Sequence, residues 1–247
     1  MTWNISDSTQ LEHAIFEMKY RLVRGIGVRQ GMTVVDAGCG QGGFTVSLAR
    51  VVGETGRVLS VDISEEYFGE FTGNLKKWDV ARLVTFVKAN VADLRGVVDD
   101  DYGDMVASFR LLEELRQATD MPRAINEMAR VTRKGGKVCL IEIDTEARNK
   151  AEETYVRLHR ESGDFLFEPA EIMKTMKEAG LAEVHVSLFD TDIWFSPELA
   201  KRDLGFAQVW FDKSVEETLG PMIDGYGMKY PRLNVFTGVK SRSRIVR

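Results

Sequence analysis

Cysteine is scarce in this 247-residue chain, which has only Cys39 and Cys139. Two thiols cannot build a disulfide framework, and these two do not have zinc-ligand spacing, so a reducing compartment and no metal are expected. Long apolar runs are also missing: none approaches the roughly 20 residues needed to cross a bilayer. No signal-peptide pattern opens the chain. "STQLEHAIFEMKYRLVRGIG" instead reads as an amphipathic helix with Leu11, Ala14, Ile15, Met18 and Leu22 on one face. The expectation is a cytoplasmic protein. Nor is there an excess of positive charge, because 33 Lys and Arg stand against 38 Asp and Glu, a net charge of −5. Without an overall basic field, nucleic acid is disfavoured as the main partner. The basic residues that do cluster, in "VKSRSRIVR", read as a solvated tail. Repeats, low-complexity tracts and linkers are absent as well.

What the chain does have is an alternation of apolar runs and amphipathic stretches. Strands are predicted at "MTVVDAG", "GRVLSVDIS", "LVTFVKAN", "GDMVASF" and "KVCLIEID". Helices fall between them, including "SEEYFGEFTGNLKKWD", with Ser64 as its cap, and "MPRAINEMARVTRK", closed by a left-handed turn at Gly135-Gly136. Nearly continuous apolar strands that alternate with helices define an α/β fold, a parallel sheet covered on both faces. Beyond residue 145 come helices at "EARNKAEETYVRLHRES" and "EPAEIMKTMKEAG", a strand "LAEVHVSLF", an aromatic-rich helix "SPELAKRDLGFAQVWFDKSVEETLG" and a last strand "LNVFTGVK". One domain over 1–247 is expected, with an N-terminal helical segment at 1–28 and a cofactor-binding core at 29–144. Residues 145–247 would complete the sheet and carry cap insertions near 145–167 and 190–231.

"VVDAGCGQGGFT", residues 34–45, holds the strongest chemical signal. Gly38, Gly40 and Gly43 fit the G-x-G-x-x-G of a dinucleotide loop, and Gly38, Gly40 and Gly42 fit a tighter loop. Glycines at the carboxyl end of a strand let the backbone approach a ligand, and the next helix N-terminus presents free N–H groups. Asp36 discriminates between the two. Beside a pyrophosphate, two like charges about 4 Å apart cost on the order of 4 kcal/mol at an effective dielectric near 20. Beside the sulfonium and ammonium of S-adenosylmethionine the same carboxylate is attractive. Asp62, closing the second strand, can accept both ribose hydroxyl protons of either cofactor.

Together "VVDAGCGQGGFT", "LSVDIS", "ANVADL", "MVASF" and "INEMARVTRKGGKVCLIEID" resemble a class I S-adenosylmethionine-dependent methyltransferase of the small-molecule group that includes the ubiquinone/menaquinone methyltransferases. The resemblance covers roughly residues 30 to 145. It implies a Rossmann-like seven-stranded sheet, mostly parallel with an antiparallel last strand, and S-adenosylmethionine as cofactor. Carried over by position, Asp36, Gly38, Cys39, Gly40 and Gly42 would line the methionine half. Asp62 would hold the ribose and Ile63 would pack on the adenine. Asn90 stands where the family has an aspartate facing the adenine amino group, and the Val91 N–H would serve the ring nitrogen. Ser108 and Phe109 would approach the donor's amino-acid end. The position that reads "SFRL" departs from the Asn/Asp-Pro-Pro-aromatic motif of exocyclic-amine methylation. Two cysteines are also too few for arsenic methylation.

The acceptor is expected to be a small, apolar or aromatic molecule, methylated by in-line displacement, because the late segments are rich in rings. Tyr155, Trp194, Trp210 and Tyr226 are candidate acceptor contacts, with Phe206, Val209, Trp210 and Lys213 at helical spacing in the long aromatic helix. His159 is the candidate base, set against an ordinary helix histidine. Arg110 would meet an anionic acceptor or pair with Glu113 or Glu114. Three other readings stay open: a nicotinamide-dependent oxidoreductase, a nucleic-acid methyltransferase, and a non-catalytic cofactor-binding module. Homo-oligomerisation through the aromatic segments is left open.

Overall fold

The apolar runs of the sequence become strands. A computed structural model describes residues 3–5, 7–115, 117, 119–207 and 213–242. In chain order the strands are β1 (Trp3–Ile5), β2 (Thr33–Ala37), β3 (Arg57–Asp62), β4 (Val84–Lys88), β5 (Gly103–Phe109), β6 (Thr132–Ile143), β7 (Leu181–Phe189), β8 (Ile193–Phe195), β9 (Met228–Lys229) and β10 (Leu233–Lys240). The helices are α1 (Ser8–Gly25), α2 (Gly43–Val52), α3 (Phe68–Lys77), α4 (Asp120–Val131), α5 (Lys150–Ser162), α6 (Pro169–Glu178), α7 (Pro197–Ala207) and α8 (Lys213–Tyr226).

Seven strands form one sheet in the order β4-β3-β2-β5-β6-β10-β7. The pairs β2/β3, β3/β4, β2/β5 and β5/β6 are parallel. The last strand runs the other way. The Asp144 N–H donates to the Arg232 carbonyl, joining the end of β6 to the start of β10. Lys240, at the end of β10, pairs at 2.8 Å with Asp101, which precedes β5. Strand order reverses beside β2, so the loops after β2 and β5 flank the point where open α/β sheets bind ligands. Helix α4 shows how the sequence pattern places a helix on the sheet: Met121, Ala124, Ile125 and Met128 recur at helical spacing and are all buried.

The chain forms two compact units. One contains the described residues of 19–142, 167–187 and 234–247, and the other those of 1–18, 143–166 and 188–233. The second unit has a small sheet in the order β1-β8-β9, with β1/β8 parallel and β8/β9 antiparallel. Helix α5 packs there on α8 and β9.

Two local expectations need correction. Helix α4 ends at Val131, and β6 begins at Thr132. Gly136 is required by close approach, since a Cβ there would meet the Asp104 carbonyl at 2.7 Å. Residues 133–136 therefore form an irregularity in β6 opposite Gly103 and Met105. Ser64 does accept the Glu66 N–H at 3.0 Å, but α3 starts only at Phe68 with Tyr67 as its cap residue. The predicted long helix over 196–220 is described as α7 and α8, and residues 208–212, including Val209 and Trp210, lie outside the described residues. Among the described residues no helix is long and apolar enough to cross a membrane.

Candidate cofactor site

The glycine loop needs its glycines for two separate reasons. Gly38, Gly40 and Gly42 have φ of 78°, 47° and 82°, in the left-handed region that side chains disfavour. Space is also short: a Cβ on Gly38 would lie 2.6 Å from Leu111 Cδ1, and one on Gly42 2.7 Å from Phe71 Cδ2. The loop is tied to β3, because the Gly38 and Cys39 N–H groups both donate to the Val61 carbonyl. Asp62 completes the attachment. Its Oδ2 accepts the Gly40 N–H at 2.8 Å and its Oδ1 accepts the Ser64 N–H at 3.0 Å. A carboxylate oxygen has more than one lone pair, so Asp62 is fixed in position and can still accept from a ligand.

Asp36 is fully buried one residue before the end of β2. Its Oδ2 accepts the Thr45 hydroxyl at 2.5 Å, while Oδ1 is buried and has no hydrogen-bond partner among the described residues. Burial pushes its pKa up to about 7, against the Thr45 hydrogen bond and the Lys19 ammonium, with Asp62 adding a smaller upward push. The Ser108 hydroxyl, at the end of β5, is also buried and without a partner among the described residues. Orphaned buried polar atoms are costly unless something satisfies them. A cationic, hydrogen-bonding ligand fits this pair, and an anionic one does not.

Past the second acid the surface turns apolar. Ile63 is 40% exposed and Phe68 42%. Phe68 is braced by Phe86 with ring centroids 5.0 Å apart, and Phe71 by Phe86 at 5.4 Å. Such an exposed, supported apolar ledge beside a ribose-holding acid suits a purine face. Phe68 was not among the sequence candidates, although an aromatic six residues after the strand-end acid was the available signal. Asn90 is exposed, and its Oδ1 accepts the Ala92 N–H at 2.9 Å, which closes a turn that buries Val91. Burial, followed by the charges of Asp36 and Asp62, pushes the Cys39 thiol far above its ordinary pKa, so Cys39 is a small filler and not a nucleophile. Phe109 stacks on Phe44 at 5.4 Å.

Arg110 adopts φ 57°, unusual for a residue with a side chain, directly after β5. Its Nε donates to Glu113 at 2.6 Å, so of the two sequence alternatives the ion pair is formed. Glu142, near the end of β6, is buried and accepts the Leu112 N–H at 3.1 Å. Burial first, then the neighbouring Glu113 carboxylate, raises the Glu142 pKa well above the carboxylate range.

The other candidates fall in the second unit. Tyr155 meets His159 at 4.9 Å and Tyr230 at 4.9 Å, and Phe195 at 6.2 Å. Tyr155, Phe195 and Tyr230 are buried. His159 is half-buried, and its Nδ1 lies 2.5 Å from Asp164, a carboxylate that orients the ring. Trp194 lies under the Lys229 ammonium at 5.6 Å, and Tyr226 is 55% exposed. Trp210 lies outside the described residues.

A methyl-donor loop on a seven-stranded sheet with this strand order defines the class I methyltransferase fold. A family model described as a methyltransferase domain matches residues 29–185, and the chain belongs to that family, whose cofactor is S-adenosylmethionine. The ubiquinone/menaquinone biosynthesis C-methyltransferase UbiE of Klebsiella pneumoniae is 33% identical over 132 residues, 52% of this chain and 51% of that protein. The match thus spans about half the length of this relative. Among solved structures, a cyclopropane-fatty-acyl-phospholipid synthase-like protein from Lactobacillus casei is similar with TM-score 0.72 and 15% identity, covering 93% of this chain and 92% of that one. A SAM-dependent methyltransferase from Aquifex aeolicus is similar with TM-score 0.59 and 18% identity, covering 94% of each chain. These two likenesses speak for the fold.

Proposed function

We propose that the protein transfers the methyl group of S-adenosylmethionine to a small molecule with an apolar or aromatic body, by in-line displacement. The observation that carries this reading is Asp36, a buried carboxylate left with an unpartnered oxygen in a glycine loop that Asp62 holds in place. Asp36 would accept from the donor's ammonium, and Asp62 from the ribose hydroxyls. Ile63 and Phe68 would cover the adenine, Asn90 and Val91 would meet its edge, and Ser108 and Phe109 would bound the amino-acid end. The bound cofactor supplies a methyl carbon already activated by its sulfonium. The chain's own task is to align and to exclude water, which a rigid loop and buried walls do without a dedicated catalytic side chain. The similarity to a C-methyltransferase of ubiquinone/menaquinone biosynthesis in Klebsiella favours a ring-bearing acceptor here. The nicotinamide alternative would set the Asp36 carboxylate against a pyrophosphate.

The test is transfer of labelled methyl from S-adenosylmethionine to a panel of quinols, phenols, amines and thiols. Label on a ring-bearing acceptor is expected. S-adenosylhomocysteine binding without transfer to any acceptor would favour the non-catalytic module, and binding of reduced nicotinamide cofactor in its place would overturn the assignment.

A further inference from the structure

Helix α1 carries one cation where its spacing calls for an apolar residue. Ile15, Leu22, Val23 and Ile26 stand four before and three, four and seven after Lys19, so Lys19 shares their stripe, in which Leu22, Val23 and Ile26 are buried. A lysine at such a place ordinarily extends its stem over the apolar surface and puts its ammonium in water. This one does not. Its Nζ lies 4.7 Å from the Phe109 ring centroid, and a Cβ added to Gly43, the first residue of α2, would sit 2.9 Å from it. The ammonium therefore fills the space beside the residue that opens the ten-residue helix α2. Burial, then the charge of Arg110, lowers its pKa to about 8 in spite of the Asp36 carboxylate. Among the described residues Lys19 forms no ion pair.

A half-buried ammonium with no ion pair is partly desolvated without full compensation. The helix N-terminus beside it adds partial positive charge, so the place favours an anion. Asp36 Oδ1 and the Ser108 hydroxyl, both buried and unpartnered, show independently that this end of the sheet is built for a polar ligand. The amino-acid end of the donor is a zwitterion, and Asp36 accounts for only its positive half.

We propose that Lys19 is the binding group for the carboxylate of the donor's amino-acid end, so that Lys19 and Asp36 read its two opposite charges separately. This rests on the cofactor reading above. It makes the amino-acid end a specificity element, and uncharged or decarboxylated nucleosides are discriminated against by Lys19.

Three ligands isolate the interaction in calorimetric titrations of the full chain: S-adenosylhomocysteine, its carboxamide analogue, which keeps the ammonium, and 5′-methylthioadenosine, which lacks the amino-acid end. The wild type should bind S-adenosylhomocysteine at least about tenfold more tightly than the carboxamide, the scale of one charge-assisted hydrogen bond. In Lys19→Met that difference should vanish, with methylthioadenosine affinity unchanged, which also shows that the variant is folded. Lys19→Arg should keep most of the difference. Equal losses for all three ligands in Lys19→Met, or an undiminished acid-over-amide preference, would overturn the proposal while leaving the cofactor reading intact. No binding of any of the three by the wild type would overturn both.

Discussion

Two buried carboxylates, one in each compact unit, are handled in opposite ways. Asp36 is 0% exposed and Glu152 1%. Burial pushes Asp36 up to about 7, with one hydroxyl donor to offset it. Burial pushes Glu152 up as well, but hydrogen bonds from Arg148 and Lys229 overcome it and hold the group at about 2. Around Glu152 the Arg148 guanidinium lies at 2.7 Å and the buried Lys229 ammonium at 2.8 Å, and Arg148 also binds Asp190 at 2.7 Å. That network satisfies its own charges. Among the described residues, the region around Asp36 leaves an oxygen and the Ser108 hydroxyl without a hydrogen bond and the Lys19 ammonium without an ion pair. A protein keeps a closed ion network to fix a structure and an open set of polar atoms to receive a ligand.

The largest effect should come from opening the closed network. Glu152→Ala leaves the buried Lys229 ammonium with the Asp190 carboxylate, 3.6 Å away, as its counter-charge and should cost about 3 kcal/mol in urea unfolding. If the loss were under about 1 kcal/mol, the contrast between the two units would collapse. Next comes Asp62→Ala, which removes charge-assisted hydrogen bonds to ribose and should weaken S-adenosylhomocysteine by roughly 10- to 150-fold. The same change also releases the Gly40 and Ser64 N–H groups, so a smaller loss in unfolding free energy should accompany it.

A third prediction uses the sign of the pH dependence. Asp36 in the folded chain binds its proton more tightly than when unfolded. Its contribution therefore destabilises as pH rises from about 4 to about 7. Glu152 has the opposite sign: its contribution is present above the ordinary glutamate value and lost as pH falls toward about 2. Asp36→Asn should thus gain stability relative to wild type across pH 4–7, by on the order of 1.4 kcal/mol per pH unit at most. Parallel stability curves would contradict the raised pKa. The smallest effect belongs to Glu142→Gln, which imitates the protonated form favoured by burial and should change stability by under about 1 kcal/mol, whereas Glu142→Ala should cost more by leaving the Leu112 N–H unsatisfied.

The donor region was legible in the sequence because its signals are local. An apolar strand, a run of glycines and two acids at strand ends lie within residues 34–62, and strand alternation locates the sheet around them. The remainder depends on contacts between distant segments. β1, β8 and β9 bring together residues 3–5, 193–195 and 228–229, each too short to show a period. The Glu152 network likewise joins positions far apart in sequence, with no motif to announce it. Lys19 was hidden because a lysine on an amphipathic helix reads as solvated face, and only the position of its ammonium beside Phe109 and Gly43 says otherwise. The left-handed turn expected at Gly135-Gly136 is present, with Gly135 at φ 76°, but it lies inside β6 past the end of α4, and the Asp104 carbonyl excludes a side chain at Gly136.

If Asp36 is held unsatisfied for a cationic ligand, binding of that ligand must drive the proton off Asp36. S-adenosylhomocysteine would be titrated into the wild type and Asp36→Asn at pH 6 in two buffers of different ionisation heat. At that pH Lys19 is charged with or without ligand, so Asp36 dominates the exchange. Release of a large fraction of one proton is expected from the wild type and almost none from the variant. Binding by the wild type without proton release, or with the same release in both, would contradict that role for Asp36.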